Sequence, residues 1–560
     1  MAENQNIGYM VGGGLKESFR VRLTVDPLSV QEGAFVVIES GDYQFYGLVT
    51  DLQLGATDPR FADEQSETRL PPAIAKALHG QTLYTNLEVL PALMLERGPD
   101  PGSPEYAAWL KNLNGQQPRP GPVKTVPPHH ASVRLAGEGD IGEIFGVAGE
   151  GGNFVIGYTR EQGHPVCIDL DKFVQRSSGI FGATGTGKSF LTRVVLAGLM
   201  QYNKASVLVF DMHNEYGYDD TASDTGLRVT GLKSKFAAKV RVVGLGPGAK
   251  IRGTAPDFNL EIAENEISTA DIELLSRELD LKETTATTLD ALWNSFRGRW
   301  FGEFKNMTQE LITTEEGKKV PANGSVAFWA NANGVNVMAA EALHNKLRRL
   351  FNKPYIVAKP AADPVKEIIN ALENGQHIVL SFGEFETDLD YLLVSNLLTR
   401  KIKEVWERRT NSFRTTGKEE PRQLVIVLEE AHKLLNREMA GQTTFATIAR
   451  ELRKYYVTLL VIDQRPSQIY DEVMSQLGTR ISGWLGDEDD IHAVLSGLAG
   501  REALRGMLAR LQPKEEVLLL GWGVLMPLPV KSRRYDDAFW KELLGGAKRS
   551  KEQNLKELGF

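Results

Sequence analysis

The sequence predicts an α/β protein: a predominantly parallel sheet covered by helices, preceded by a small N-terminal β-barrel and interrupted by an inserted helical subdomain. Three observations carry this. Short runs rich in Val, Leu and Ile recur at 205–210, 377–382, 424–428, 459–462 and 517–520, and strands apolar on both faces belong to parallel sheets with helices on each side. Ahead of them, Phe19, Val21, Leu23 and Val25 alternate with Arg20, Arg22 and Thr24, a period of two that marks half-buried strands. Between about 253 and 362, Ile262, Ile267, Ile272, Leu275, Leu279 and Leu281 recur at helical spacing, as do Leu289, Leu292 and Phe296.

Taken in order, residues 1–150 read as the barrel domain. Strands at 34–38 and 43–49 follow the first, punctuated by Gly33, Gly41 and Gly47, and short strands so closely spaced suit a small antiparallel barrel. The stretch 99–128 holds eight of the 25 prolines, among them Pro99, Pro101, Pro104, Pro118, Pro120 and Pro122, and is expected to be a loop. Residues 151–252 begin the α/β core, 253–362 form the helical insertion, and 363–530 complete the core. The end, 531–560, is charged and helix-prone, with Lys548, Arg549, Lys551 and Lys556.

Composition narrows the function classes. The 560 residues carry a net charge of −8, which excludes a globally basic nucleic-acid coat but not a local basic channel. Cys167 is the only cysteine, so neither an intrachain disulfide nor a cysteine-based zinc cluster can form, and a reducing cytosol fits. The start has no basic segment followed by an apolar core, so no secretory leader is expected. The run 517–530 is too short to span a bilayer and contains Pro527 and Pro529. The expectation is a cytoplasmic protein outside the membrane.

Gly182-Ala-Thr-Gly-Thr-Gly-Lys-Ser189 matches G-x-x-x-x-G-K-[ST]. It follows the apolar pair Ile180-Phe181 and precedes a helical stretch beginning at Phe190, the strand–loop–helix context the motif requires. Gly182, Gly185 and Gly187 let backbone N–H groups approach phosphate oxygens, with Ala183, Thr184 and Thr186 between them. The following helix N-terminus adds partial positive charge. Lys188 can reach the β- and γ-phosphates and Ser189 can coordinate Mg²⁺. The expected cofactors are ATP and Mg²⁺, with Phe190 closing the set of nucleotide contacts.

Two further strand ends carry polar groups. The run 424–428 ends in Glu429 and Glu430. A carboxylate there can hold the Mg²⁺ shell, assigned to Glu429, and a second can orient or deprotonate the attacking water, assigned to Glu430. His432 reads as a structural hydrogen-bonder rather than a general base. The run 459–462 leads to Asp463 and Gln464, and Gln464 would sit beside the γ-phosphate if its strand neighbours the other two. Asp211 ends the strand 205–210; with Glu215 it is a candidate for orienting water or the metal shell. A metal site of Asp211, His213 and Glu215 is the alternative, but no other residue completes its ligand set. Arg453 on the basic segment 448–455 is the first candidate for an arginine supplied to a neighbouring subunit, and Arg176, twelve residues before Lys188, is the second.

These residues together resemble the HerA family within the HerA/FtsK group of P-loop motors. The match runs from the barrel through Gly146-Val-Ala and Val166-Cys-Ile-Asp-Leu to the phosphate loop. It continues through Asp211-Met-His-Asn-Glu-Tyr216, Glu429-Glu-Ala-His432, Glu451-Leu-Arg-Lys454 and Gln464-Arg-Pro-Ser467. The resemblance implies a RecA-like ATPase core, a hexameric ring with ATP between subunits, and double-stranded DNA moved through the pore by hydrolysis. It also implies that the barrel supports ring assembly and docks a partner. Three positions depart from the family pattern: Leu452 stands for a usual Gly, Met212-His213-Asn214 for Pro-His-Gly, and Asp463 for Ser. With the helical insertion, these departures resemble bacterial anti-phage relatives, whose partner is a nuclease or a sirtuin-like NAD-consuming effector.

Basic helical stretches at 343–350 and 398–403 are candidates for lining a DNA channel without reading sequence; a solvated helix face is the alternative for each. Two other functions compete with the DNA motor. One is an ATP-regulated scaffold that organises and activates an effector. The other is a secretion or conjugation motor, which the lack of a membrane-spanning run disfavours.

Overall fold

A computed structural model describes residues 5–57, 71, 83–99, 102–113, 118–221, 226, 228–313, 318–439 and 443–545. Six strands close the N-terminal barrel: β1 (Asn6–Gly13), β2 (Phe19–Leu23), β3 (Phe35–Ser40), β4 (Tyr43–Ala56), β5 (Leu83–Glu96) and β6 (Ser132–Leu135). The antiparallel ring closes because β2 pairs with both β1 and β5. Phe19 and Val21 point inward with Ile7, Val36, Ile38, Phe45, Leu87, Val89 and Val133, forming a core of their own, while Arg20 faces solvent. The alternation therefore places one face of β2 in the barrel interior.

The proline-rich stretch departs from the expected loop. Pro104–Asn112 is a nine-residue helix with its proline in the first turn, where the missing N–H costs nothing because it would have no helical partner. Gly121–Pro122 pairs with the edge of β5. Pro101 lies outside the described residues, as do Lys548, Arg549, Lys551 and Lys556.

The core is a twelve-stranded mixed sheet. Its strands are β7 (Asn153–Tyr158), β8 (Pro165–Asp169), β9 (Ser178–Phe181), β10 (Ser206–Asp211), β11 (Val240–Leu245) and β12 (Phe258–Leu260). They continue with β13 (His377–Ser381), β14 (Leu424–Leu428), β15 (Val457–Asp463), β16 (Thr479–Ser482), β17 (Glu516–Gly521) and β18 (Leu528–Ser532). Across the sheet the order is β12-β11-β13-β10-β14-β15-β9-β16-β17-β18-β7-β8. The eight strands from β12 to β16 are parallel, and the last four are antiparallel. This is a RecA-like P-loop core. Strands β10, β13, β14 and β15 are buried at every position, as central strands covered on both faces must be. Helix α1 (Lys188–Tyr202) and the 29-residue α2 (Asp388–Thr416) pack against them.

Within 253–362 the sheet gains β12, and Ile262 lies in a two-residue strand rather than a helix. The helices Thr285–Phe296, Trp300–Asn306, Val326–Ala332 and Val337–Phe351 follow. They enclose an aromatic cluster in which Phe301 meets Phe351 edge-on at 5.2 Å and Phe304 meets Trp329 at 6.2 Å. The segment past β18 is no free tail at its start. Residues 537–545 are helical, and Phe539 and Trp540 are buried against Tyr535 and Phe236. Among the described residues, no helix is long and apolar enough to cross a membrane.

Candidate active site

The order of the central strands decides the site. β15 lies between β14 and β9, with Leu428 opposite Val461 on one side and Phe181 opposite Asp463 on the other. Parallel strands end on the same side, so the residues after Phe181, Leu428 and Asp463 emerge together. They are the phosphate loop, the Glu429-Glu430 pair and Gln464.

Three glycines shape the loop, with φ of +154° at Gly182, +77° at Gly185 and +88° at Gly187. A Cβ at Gly182 would lie 2.6 Å from Thr186 Oγ1, so that position admits no side chain. Thr186 ties the loop by donating to the Ala183 carbonyl at 2.7 Å. Lys188 Nζ donates to the carbonyls of Gly182 at 2.8 Å and Ala183 at 3.0 Å. Burial pulls its pKa down, and Glu430, Asp463, Glu429 and Glu215 oppose that pull. Ser189 and Phe190 open α1; Ser189 is half-buried and Phe190 exposed.

Glu429 is buried. Its Oε1 accepts the Tyr216 hydroxyl at 2.6 Å, and the Tyr391 hydroxyl donates to its main-chain carbonyl at 2.9 Å. Oε2 has no hydrogen-bond partner. Burial, reinforced by nearby Asp211, holds the Glu429 pKa well above the carboxylate range. A buried carboxylate with a vacant oxygen suits a hydrated Mg²⁺, whose charge would reverse that shift. Among the described residues no group of three or more His, Cys, Asp or Glu forms a self-sufficient metal cage, which disfavours the Asp211, His213, Glu215 alternative.

Glu430 adopts φ +45°, a left-handed conformation that costs a non-glycine residue about 1–3 kcal/mol. Its Oε2 accepts from Gln464 Nε2 at 3.3 Å, and Gln464 Oε1 accepts the Thr184 hydroxyl at 2.6 Å. Gln464 therefore bridges the phosphate loop and the glutamate, with one end of its amide on each.

Asp211 is corrected from the expected role. It is fully buried, and its oxygens accept the main-chain N–H groups of Glu215 at 2.7 Å and Tyr216 at 3.0 Å and the Ser381 hydroxyl at 3.3 Å. Burial lifts its pKa to about 6. With both oxygens spent, it folds the loop that carries Tyr216 to Glu429, rather than meeting water or metal itself. Tyr216 lies in the 211–216 motif without an assigned role and Tyr391 lies in none; only the tertiary packing turns their hydroxyls onto Glu429.

Arg176 and Arg453 are brought together, but far from these groups. Arg176 precedes β9, and Arg453 lies in the turn Leu452–Tyr455 ahead of β15. Both therefore stand at the opposite end of the parallel strands. β15 has seven residues, so at about 3.3 Å per residue its ends are about 20 Å apart. The two arginines line an open cavity of about 910 Å³ with Arg450, Lys454, Arg480 and Trp522. The Arg176 guanidinium stacks 4.2 Å over the Trp522 ring. Arg480 is spent on the carbonyls of Val494, Ser496 and Met474, and Arg450 pairs with Glu472 at 3.2 Å. Arg453 is exposed, and its guanidinium has no hydrogen bond or ion pair among the described residues.

Several basic residues considered for a DNA channel are occupied. Arg400 is held by Asp271 at 2.8 Å and by the Glu266 carbonyl at 3.0 Å. Lys346 pairs with Asp280 at 3.1 Å, and Arg349 donates to the Glu278 carbonyl at 2.5 Å.

Known proteins resemble this chain over most of its length. Residues 154–402 match the family model described as "Helicase HerA, central domain". The chain is 26% identical over 540 residues to a protein of Sulfurisphaera tokodaii named DNA double-strand break repair helicase HerA, covering 95% of this chain and 93% of that one. It is 23% identical over 548 residues to the protein of that name from Sulfolobus acidocaldarius, with the same coverage. Among solved structures, VirB4 of Thermoanaerobacter pseudethanolicus aligns with 70% of this chain and 98% of its own, at a TM-score of 0.43 and 18% identity.

Proposed function

We propose that this chain, whose residues 154–402 match the HerA central domain and which is 26% identical over 540 residues to a HerA helicase, is a HerA-type ATP-hydrolysing ring motor that translocates or unwinds double-stranded DNA through a central pore. The observation that carries the reading is the division of one reaction between the two ends of one sheet. The phosphate loop, Glu430 and Gln464 gather at one end. A solvent-open pair of arginines stands at the other, about 20 Å away. Phosphoryl transfer is catalysed by positioning and by neutralising charge on the transferring group. The first end supplies the positioning, and the arginine must come from another copy. A closed ring of head-to-tail contacts, a hexamer in this reading, gives every site its arginine.

In each site Lys188 and the loop amides hold the triphosphate, with Ala183, Thr184, Thr186 and Phe190 as further contacts. Ser189 and Glu429 would hold Mg²⁺, which supplies charge neutralisation at the β- and γ-oxygens when bound. Glu430 orients the attacking water and accepts its proton, and Gln464 hydrogen-bonds the γ-phosphate. Arg453, seconded by Arg176, reaches the neighbouring subunit's triphosphate. The barrel is the docking surface for a partner nuclease or sirtuin-like effector, and the setting is anti-phage defence or DNA end processing. The departures at Met212, Asn214 and Asp463 support that placement.

Mixing decides the central point. Lys188→Ala chains cannot bind nucleotide productively, and Arg453→Ala chains cannot complete a neighbour's site. Each alone is expected to be inactive, whereas a mixture recovers part of the DNA-stimulated ATPase activity. A mixture as inactive as its components would end the shared-site reading, and turnover indifferent to saturating duplex DNA would end the DNA role. An effector that works equally well with Lys188→Ala would favour the scaffold.

A further inference from the structure

Asp463 ends β15 one residue before Gln464 and is 1% exposed. One oxygen, Oδ1, accepts the N–H of Arg465 at 2.7 Å. The other, Oδ2, accepts the main-chain N–H of His432 at 2.7 Å. The His432 ring follows its own backbone onto the same carboxylate, with Nδ1 3.0 Å from Oδ2 and 3.1 Å from Oδ1. The same Nδ1 lies 3.7 Å from Glu430 Oε2. One imidazole nitrogen thus faces both a buried carboxylate and the glutamate read above as orienting water. Its residue ties the exit of β14 to the end of β15, the strands that deliver Glu430 and Gln464.

The electrostatics agree with the geometry. A histidine flanked by two carboxylates is favoured in its charged form. The His432 pKa is raised, chiefly by the hydrogen bond to Asp463; burial opposes the shift, Glu430 adds to it and Lys433 subtracts. From the phosphate loop, Lys188 faces the same two carboxylates, Glu430 and Asp463. Glu430 needs such help because it sits at φ +45° and meets Gln464 only through a 3.3 Å hydrogen bond.

We propose that Asp463 and His432 form a positioning pair for Glu430: the buried carboxylate anchors the imidazolium, and the imidazolium holds the Glu430 carboxylate in the orientation that receives water. The proposal rests on the ATPase reading above and deepens it. Neither residue is among those read above as holding the nucleotide. In a loose phosphoryl-transfer transition state the orientation of the water matters more than the basicity of the group that holds it, so a neighbouring cation that lowers basicity is tolerated.

The test is steady-state ATPase kinetics of the full chain between pH 6 and 9, for wild type, His432→Asn and Asp463→Asn, with thermal melting of each. The His432→Asn amide can still donate to Asp463 but carries no charge. In both variants kcat is expected to fall roughly ten- to a hundredfold, with KM for ATP unchanged within about twofold. The wild-type kcat should decline at alkaline pH as His432 loses its proton, and this limb should be missing in His432→Asn. If one variant does not fold, the other is read in the same way. An unchanged kcat in a folded variant, or a His432→Asn profile that keeps the wild-type alkaline limb, overturns the pair while leaving the ATPase reading intact. A wild-type chain that hydrolyses no ATP overturns both.

Discussion

The two ends of the central sheet are built differently. At the end where the parallel strands exit, nearly every polar group has a partner. Lys188 rests on loop carbonyls, Gln464 joins Thr184 to Glu430, and Asp463 collects three donors. At the entry end, Arg453 is exposed and the Arg176 guanidinium stacks on Trp522 at 4.2 Å. A preorganised cluster holds its geometry without help, whereas an exposed guanidinium acquires a purpose only when an anion is brought to it. In the proposed reading the chain carries most of one site and the missing group of another.

This contrast can be broken by experiment. The largest effect is expected from Arg453→Ala, which should lower ATPase kcat by about 10³- to 10⁵-fold while nucleotide binding, followed with a fluorescent ATP analogue, stays intact. Nucleotide affinity that collapsed with this variant would mean the arginine serves binding, not turnover. Next comes Glu430→Ala at the opposite end, with a loss of about 10²- to 10⁴-fold and binding again retained. Equal partial losses from the two variants would erase the distinction between a built end and a borrowed group.

A third experiment probes the cationic end through stability. His377 begins β13, is 1% exposed, and neither ring nitrogen has a partner. Burial, aided by Arg422 and Lys239, pushes its pKa down to about 3 from an ordinary 6.5. Between those values the unfolded chain binds the proton and the folded chain does not. Stability is therefore full above about pH 6.5 and is lost as the pH falls towards 3, by up to about 1.4 kcal/mol per unit. Acid melts of His377→Leu should slope less steeply over that window; an identical slope would refute the assignment. The smallest effect is expected from Trp522→Ala, which removes the platform under Arg176. Cation–π contacts at exposed sites contribute about 0.5–1 kcal/mol, so a two- to fivefold loss of kcat is predicted, readable against Arg176→Ala.

What was legible in the sequence follows from how local each signal is. The phosphate loop is legible because its glycines, lysine and serine are consecutive and their backbone needs are fixed by the turn itself. β10, β13, β14 and β15 are legible as unbroken apolar runs. β16 is not, because Arg480 interrupts it; only the fold reveals that three carbonyls from elsewhere accept from that guanidinium's terminal nitrogens. β11 is masked in the same way by Arg241, which leaves the strand to pair with Glu367. The helix Pro104–Asn112 is hidden by the prolines around it. The charged stretches at 343–350 and 398–403 read as candidate channel linings, and only the fold reveals that Asp280 and Asp271 hold Lys346 and Arg400 within them.

The sequence alone determined the chemistry on offer: a cradle for phosphates, paired glutamates, an amide and spare arginines, each written within a few consecutive residues. Tertiary structure decided which of them meet. Strand order set β15 between β14 and β9 and so joined Gln464 to both neighbours, and it sent Arg453 to the far edge. It also turned Asp211 inward and brought Tyr216 and Tyr391 to Glu429. Those outcomes depend on contacts between segments from 34 to 280 residues apart, whose pairing is fixed by burial of the whole sheet and not by any local pattern.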